Sequence, residues 1–144
     1  MPYATQQNLV DQFGERELIA LTDRDSVGVI DPAVLARALA DADALIDSYL
    51  VARYSLPLSG VYPVLRMIAG DLARYLLSGA GVAEVEVVRA RYKDAIRYLE
   101  SVRDGKTVLG AEATAHTAAG EGARIVATGS DRVFTADTLA DFIG

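Results

Sequence analysis

The chain of 144 residues contains no cysteine and only one histidine, His116. Without thiolates, neither a disulfide framework nor a zinc site of the usual Cys/His type can form, and the composition suits a reducing compartment. His116 lies in a stretch rich in alanine, threonine and glycine, where we expect a single imidazole to face solvent. The sequence therefore disfavours a Ser-His-Asp type of nucleophilic site.

Long apolar runs and clusters of basic residues are also missing. No segment approaches the roughly 18 to 20 consecutive apolar residues that cross a bilayer, and the start lacks the basic-then-apolar pattern of a signal peptide. The net charge is -6, and no run of Lys or Arg could neutralise several DNA phosphates. We expect a soluble protein, cytoplasmic at synthesis, whose acidic surface does not bind DNA sequence-specifically.

The residues that are present favour one helical domain. The chain is 51% apolar, which is enough to bury the core of a single domain. Apolar residues recur at helical spacing in five segments, so the sequence predicts a mainly α fold, a small bundle of about five helices. The predicted helices run from a Thr5 cap to Phe13, from Glu15 to Leu21, from Asp31-Pro32 to near Tyr54, from Pro63 to Gly79, and from Ala83 to Asp104.

The apolar stripes of the last two helices predict which side chains face the core. The outer face of the fifth helix carries opposite charges three residues apart, including Arg91 with Asp94 and Asp94 with Arg97, a spacing that stabilises helices weakly. We predict an inward stripe on the fourth helix at Leu65, Ile68, Leu72, Tyr75 and Leu76, and one on the fifth at Val85, Val88, Tyr92, Ala95, Ile96, Leu99 and Val102.

Two acidic patterns resemble cation sites without completing one. The loop after Thr22 has valine at two positions, Val27 and Val34, where a calcium loop requires oxygen ligands. In the third helix, Asp43 and Asp47 share a face at a four-residue step. We interpret that face as solvated rather than metal-binding, and we expect no cofactor.

The exit of the third helix is the most distinctive stretch of the chain. Two tyrosines and an arginine stand directly before a Leu-Pro-Leu sequence, and the residue before a proline avoids helical geometry. Pro57 therefore sets the direction in which the third helix leads to the fourth. None of these side chains is an obvious catalytic group, so we predict either core packing or contact with another subunit for Tyr49, Arg53, Tyr54, Leu56 and Pro57.

The sequence changes character after Gly105, so we predict two regions, a helical domain over residues 1–105 and a linker with a C-terminal arm over 106–144. Residues 111–122 are small, polar and aperiodic and are predicted to be a flexible linker. Beyond them a short β-hairpin and a terminal helical turn are possible. The arm carries apolar anchors that we expect to dock on the domain or on a neighbouring subunit, namely Phe134, Leu139, Phe142 and Ile143.

Several short motifs carry a family resemblance. They are Tyr3-Ala4-Thr5 with Phe13-Gly14, Ile46 to Leu50 followed by Arg53 to Leu58, Asp71 to Leu76, Tyr92 to Ala95, and Arg132 to Thr135. On these motifs the chain resembles a family of small virion morphogenesis proteins of Mu-like phages and prophages. The resemblance covers nearly the whole chain apart from residues 111–122.

That family is similar in helical layout to the head-to-tail connector, or adaptor, proteins of long-tailed phages. The resemblance implies a non-enzymatic protein whose copies form a ring, typically twelve-fold, below the portal protein. Such a ring extends the DNA channel and offers a docking platform for the next connector or tail-completion protein. It implies a place in the head-tail neck of the virion, host cytoplasm during assembly, and no membrane partner.

Two other classes of function stay open on the sequence. One is a small helical protein-binding module or regulator encoded on a prophage. The other is a small enzyme, for which the sequence offers no specific candidate residues.

Overall fold

The computed structural model describes residues 2–79 and 86–110, and five α-helices account for most of them. This confirms the mainly α fold, whereas the predicted hairpin and terminal helical turn of the arm lie outside the described residues. The helices are α1 (Gln6–Phe13), α2 (Glu15–Thr22), α3 (Pro32–Leu50), α4 (Pro63–Ser78) and α5 (Glu86–Arg103).

Capping residues fix where α1 and α3 begin, as predicted. Thr5 and Asn8 form a reciprocal capping box, in which the Asn8 amide donates to Thr5 Oγ1 at 3.3 Å and the Thr5 amide donates to Asn8 Oδ1 at 3.0 Å. Asp31 Oδ1 accepts from the amide of Ala33 at 2.9 Å, and Pro32 occupies the first helical position. Both arrangements satisfy amides that have no partner inside the helix.

The core forms where α3 and α4 pack together, with α5 against both and the short helices α1 and α2 beside α4. α3 and α4 each bury two alanines, and small side chains at a contact let two helices approach closely. Leu9 of α1 and Leu18 of α2 complete the core from the other side. The buried alanines are Ala38 and Ala42 on α3 and Ala69 and Ala73 on α4.

The prediction that the third helix continues to near Tyr54 is wrong, because α3 ends at Leu50. The carbonyl of Leu50 accepts from the amides of both Arg53 and Tyr54, at 2.9 Å each, so the chain closes a terminal turn there instead of extending the helix. Residues 51–62, which we call the elbow, then lead to Pro63. Within the elbow the Leu56–Pro57 peptide bond is cis.

The predicted facing of α4 is right along most of its length and wrong at its end. Leu65, Ile68 and Leu72 are buried, but Leu76 is 39% exposed and Leu77 is buried in its place. The reason is that α4 contacts all four other helices, so its buried face is broader than a single stripe. At the C-terminal end that face turns toward Leu77 and Ser78.

α5 buries most of the predicted stripe, with Val88, Ala95, Leu99 and Val102 buried and Tyr92 and Ile96 half-buried, and it ends within one residue of the predicted end. Val85 lies outside the described residues. Gly105 follows the helix at a φ of +78°, a conformation that costs glycine little and other residues more. On the outer face the predicted pair between Asp94 and Arg97 is present at 3.5 Å.

Candidate functional site

The elbow is the natural place to look for a functional site, because it holds four of the five candidate contact residues that the structure describes, and the fifth, Tyr49, lies just before it at the end of α3. Tyr54 lies in the core, with 2% of its surface exposed. Its hydroxyl accepts a hydrogen bond from the amide of Leu109 at 3.3 Å. A buried tyrosine usually finds such a partner for its hydroxyl, so Tyr54 joins the end of α3 to the chain that follows α5.

Arg53 lies beside the same crossing of the chain. Its side chain is half-buried, and Nε is buried with no hydrogen-bond partner among the described residues. The guanidinium group lies so close to Gly105 that a β-carbon there would overlap Nη1. Glycine at this position therefore accommodates both the positive φ and the arginine side chain.

Tyr49 is covered by a side chain from the same end of α5. The guanidinium carbon of Arg103, at the end of α5, lies 5.8 Å from the centroid of the half-buried Tyr49 ring, within the range of a cation-π contact. Together, the three side chains Tyr49, Arg53 and Tyr54 hold the C-terminal end of α5 over the end of α3.

A pocket of about 390 Å³ opens beside the elbow. We call it the elbow pocket; its walls come from Pro2 and Tyr3, from Asp47 of α3, and from elbow residues 56–58 and 60–62. Leu56 is half-buried against the core and Pro57 is exposed. The pocket thus combines apolar walls with a single carboxylate.

Tyr3 connects the N-terminal segment to the acidic face of α3. Its amide donates to Asp43 Oδ1 at 3.1 Å, and its hydroxyl donates to Asp47 Oδ1. Burial raises the pKa of Asp43, although the amide of Tyr3 acts in the opposite direction. Burial and the hydrogen bond to Asp47 raise the pKa of the Tyr3 hydroxyl. The prediction of a solvated acidic face is therefore wrong for this pair, because Tyr3 covers it.

A buried carboxylate, Asp71, lies on α4 between α1 and α5. Gln12 Nε2 donates to its Oδ1 at 3.4 Å, and Arg91 Nη1 lies 3.8 Å from the same oxygen. Arg91 therefore contacts a residue of α4, whereas the spacing in the sequence predicted a pair with Asp94. Burial raises the pKa of Asp71, while Arg91 and Arg74 act to lower it.

Arg74 of α4 holds the two short helices. Its Nε donates to Glu17 Oε1 at 2.5 Å, and its guanidinium carbon lies 4.7 Å from the centroid of the Phe13 ring. One arginine thus binds both α1 and α2. Neither contact follows from sequence spacing, since both partners are more than 50 residues away.

Two further features bear on function. Across residues 2–79 and 86–110, no three His, Cys, Asp or Glu side chains are grouped so that they could hold a metal ion. In the same part of the chain, no helix combines the length and the apolar character needed to cross a membrane.

Comparison with known proteins identifies the family of the chain. The family model for Bacteriophage Mu, Gp36, matches residues 3–128. The chain belongs to the Mu Gp36 family. Gene product J of Escherichia phage Mu is 39% identical over 132 residues, which cover 91% of this chain and 92% of that protein. The Mu-like prophage FluMu protein gp36 of Haemophilus influenzae is 34% identical over 142 residues, which cover 98% of both proteins.

Membership of the Mu Gp36 family confirms the Mu-like phage resemblance drawn from the sequence motifs. The remaining candidate contacts, Phe134, Leu139 and Phe142, lie beyond the part matched by the Gp36 model and outside the described residues. Their role stays a prediction.

Proposed function

We propose that this Gp36-family protein is a structural, non-enzymatic component of the phage neck. In this role it is a head-tail connector, whose copies form a ring below the portal, extend the DNA channel, and present a platform for the next connector or tail-completion protein. The observation that carries the proposal is similarity over nearly the full length to gene product J of phage Mu and to a Mu-like prophage protein. The helical bundle is consistent with the connector-like layout expected for this family.

The net charge of the chain supports a channel that does not bind DNA tightly. The chain has a net charge of -6, and an acidic balance disfavours the clustered cationic contacts with phosphates that would hold DNA. A ring around a DNA channel must let the genome pass without binding it tightly. We propose that genomic DNA passes through the lumen without sequence-specific contacts.

The elbow also offers surface for contacts between copies or with the portal. Val51 is 62% exposed and Val61 is 77% exposed, and Pro57 lies exposed between them in sequence. Pro57 and Val61 both line the elbow pocket, and exposed apolar side chains grouped in this way favour a protein-protein contact. We therefore propose Leu56 and Pro57 as contacts with another subunit or with the portal. Substitutions at these two residues are tested by their effect on ring formation.

Deletion of the gene from an inducible Mu-like prophage tests the proposal. After induction, lysates are viewed by negative-stain electron microscopy, with a plasmid-borne wild-type copy as the control. We expect separate tails and heads that are empty or DNA-filled but tailless, and restored tailed particles with the plasmid. Normal numbers of tailed, infectious particles from the deletion would contradict the connector role and favour a prophage-encoded regulator.

A further inference from the structure

The elbow pocket has two polar groups whose hydrogen-bonding capacity is not used. Tyr62 Oη is buried there without a hydrogen-bond partner within the described part of the chain. Asp47 accepts only from Tyr3, through Oδ1, and forms no ion pair with any residue between positions 2–79 or 86–110. A buried hydroxyl normally has a partner, and Asp47 is a half-buried carboxylate without an ion pair among the described residues, so the pocket is suited to a segment that brings a cation and a hydrogen-bonding backbone.

The described chain ends at the rim of this pocket. Gly110 lies against the ring of Tyr62, where a β-carbon would be 3.6 Å from Cε1. Another 34 residues follow, since the chain has 144. They contain two bases, Arg124 and Arg132, and Arg132 is followed at once by Val133 and Phe134.

We infer that the elbow pocket binds the chain's own segment 132–134, with Arg132 facing the Asp47 carboxylate and Phe134 between the apolar walls. The charges are complementary, and the aromatic ring matches the Leu56–Val61 side of the pocket. About 22 residues separate Gly110 from Arg132, enough to span about 70 Å when extended, so reach does not limit the contact. Tethering gives a local concentration on the order of millimolar, which favours the chain's own segment over a second copy.

This inference concerns the isolated protein and does not depend on the proposed function. The absence of cysteine makes disulfide trapping in the full-length chain a clean test. The test variant is Val61→Cys with Thr135→Cys, and the control is Val27→Cys with Thr135→Cys, so that Phe134 itself is kept. Val27 and Val61 are similarly exposed, at 70% and 77%, so neither substitution disturbs the core. Val27 precedes the far end of α3, a helix about 28 Å long.

Each variant is diluted to low micromolar concentration, oxidised mildly, quenched at intervals and measured by intact mass and non-reducing electrophoresis. We expect the Val61→Cys variant to form an intramolecular disulfide at least tenfold faster than the control, because bridging requires α-carbons within about 7 Å. Equal rates in the two variants would overturn the inference. Disulfides formed only between molecules would also overturn it, since the occupant would then be a second copy.

A charge substitution tests the Arg132 contact separately. Asp47→Asn, added to the Val61→Cys and Thr135→Cys variant, retains an oxygen that accepts from Tyr3 but removes the negative charge. We expect the intramolecular disulfide to form severalfold more slowly, and we expect 0.5 M NaCl to slow the parent variant while leaving the Asp47→Asn variant unaffected. An unchanged rate in Asp47→Asn would overturn the pairing of Arg132 with Asp47.

Discussion

The amide of Leu109 donates a hydrogen bond to the hydroxyl of Tyr54 across 55 residues of sequence, at 3.3 Å. Both partners are buried, and Tyr54 belongs to the elbow while Leu109 follows α5. This contact closes the end of α3 against the end of α5. It fixes the position of Tyr54 within the elbow, which contains no helix of its own.

Tyr54→Phe removes the acceptor and leaves the Leu109 amide buried without it. An unsatisfied buried donor costs about 1–3 kcal/mol, so we expect the free energy of unfolding to fall by that amount in urea denaturation. The matched control is Tyr49→Phe, at a half-buried ring beneath Arg103, with an expected change within about 0.5 kcal/mol. Equal effects of the two substitutions would show that the Tyr54 contact does not stabilise the fold.

Gly105→Ala tests the close approach of Arg53. The substitution places a β-carbon both at a positive φ and against the guanidinium group, whereas Gly28, at a φ of +83°, has open space around it. We expect Gly28→Ala to cost about 1–2 kcal/mol, the typical cost of a left-handed conformation, and Gly105→Ala to cost more. In an Arg53→Ala background the excess should disappear, which a double-mutant cycle measures. Equal costs at the two glycines would contradict the crowding.

Leu72 and Leu76 lie on the same helix, but we expect their truncation to lower the free energy of unfolding by different amounts. Leu72 is fully buried, so Leu72→Ala should lower the free energy of unfolding by about 2–5 kcal/mol. Leu76 is partly exposed, and its truncation should cost much less. The two variants are compared by thermal and urea unfolding, and a larger effect at Leu76 would mean that α4 is rotated from the orientation described.

Asp71→Asn tests the buried carboxylate through the dependence of stability on pH. Because burial raises the pKa of Asp71 above its usual value, its contribution to stability is present below the unfolded-state pKa, about 3.9, and is lost as the pH rises through the folded-state pKa. The ionised wild-type protein is therefore penalised at pH 7. We expect Asp71→Asn to be more stable at pH 7 and the difference to shrink toward pH 3.

The control for this experiment is Asp94→Asn, which removes an exposed carboxylate paired with Arg97. Exposed pairs contribute little, so this variant should differ from wild type by less than about 1 kcal/mol at either pH. If Asp71→Asn is instead less stable at pH 7, the attraction between Asp71 and Arg91 outweighs the cost of burial.

Local signals in the sequence were sufficient for the starts of the helices and for most of their inward faces. Thr5, Asp31 and Pro63 mark helix starts because capping and proline geometry act within a few residues. The end of α3 was missed because Leu50 closes a terminal turn that helical spacing does not reveal. Leu76 was misplaced because the width of a buried face depends on how many helices pack against it.

The elements of the candidate site were harder to foresee, because they depend on distant contacts. Tyr3 reaches Asp47 across 44 residues, and Arg53 meets Gly105, which lies in the segment after α5. Nothing in the local sequence of Asp43 and Asp47 distinguishes a covered carboxylate pair from a solvated one. The identity of the elbow as a distinctive stretch was predictable, whereas its partners came only from the fold.

The copy number of this protein in purified tailed particles tests the neck role most directly. Quantitative mass spectrometry with isotope-labelled peptides measures it against the portal protein in the same particles, after gradient purification. The account predicts a fixed ratio near one copy per portal copy, as for a ring seated on the portal. Absence of the protein from purified tailed particles, with abundant protein in the lysate, would contradict it.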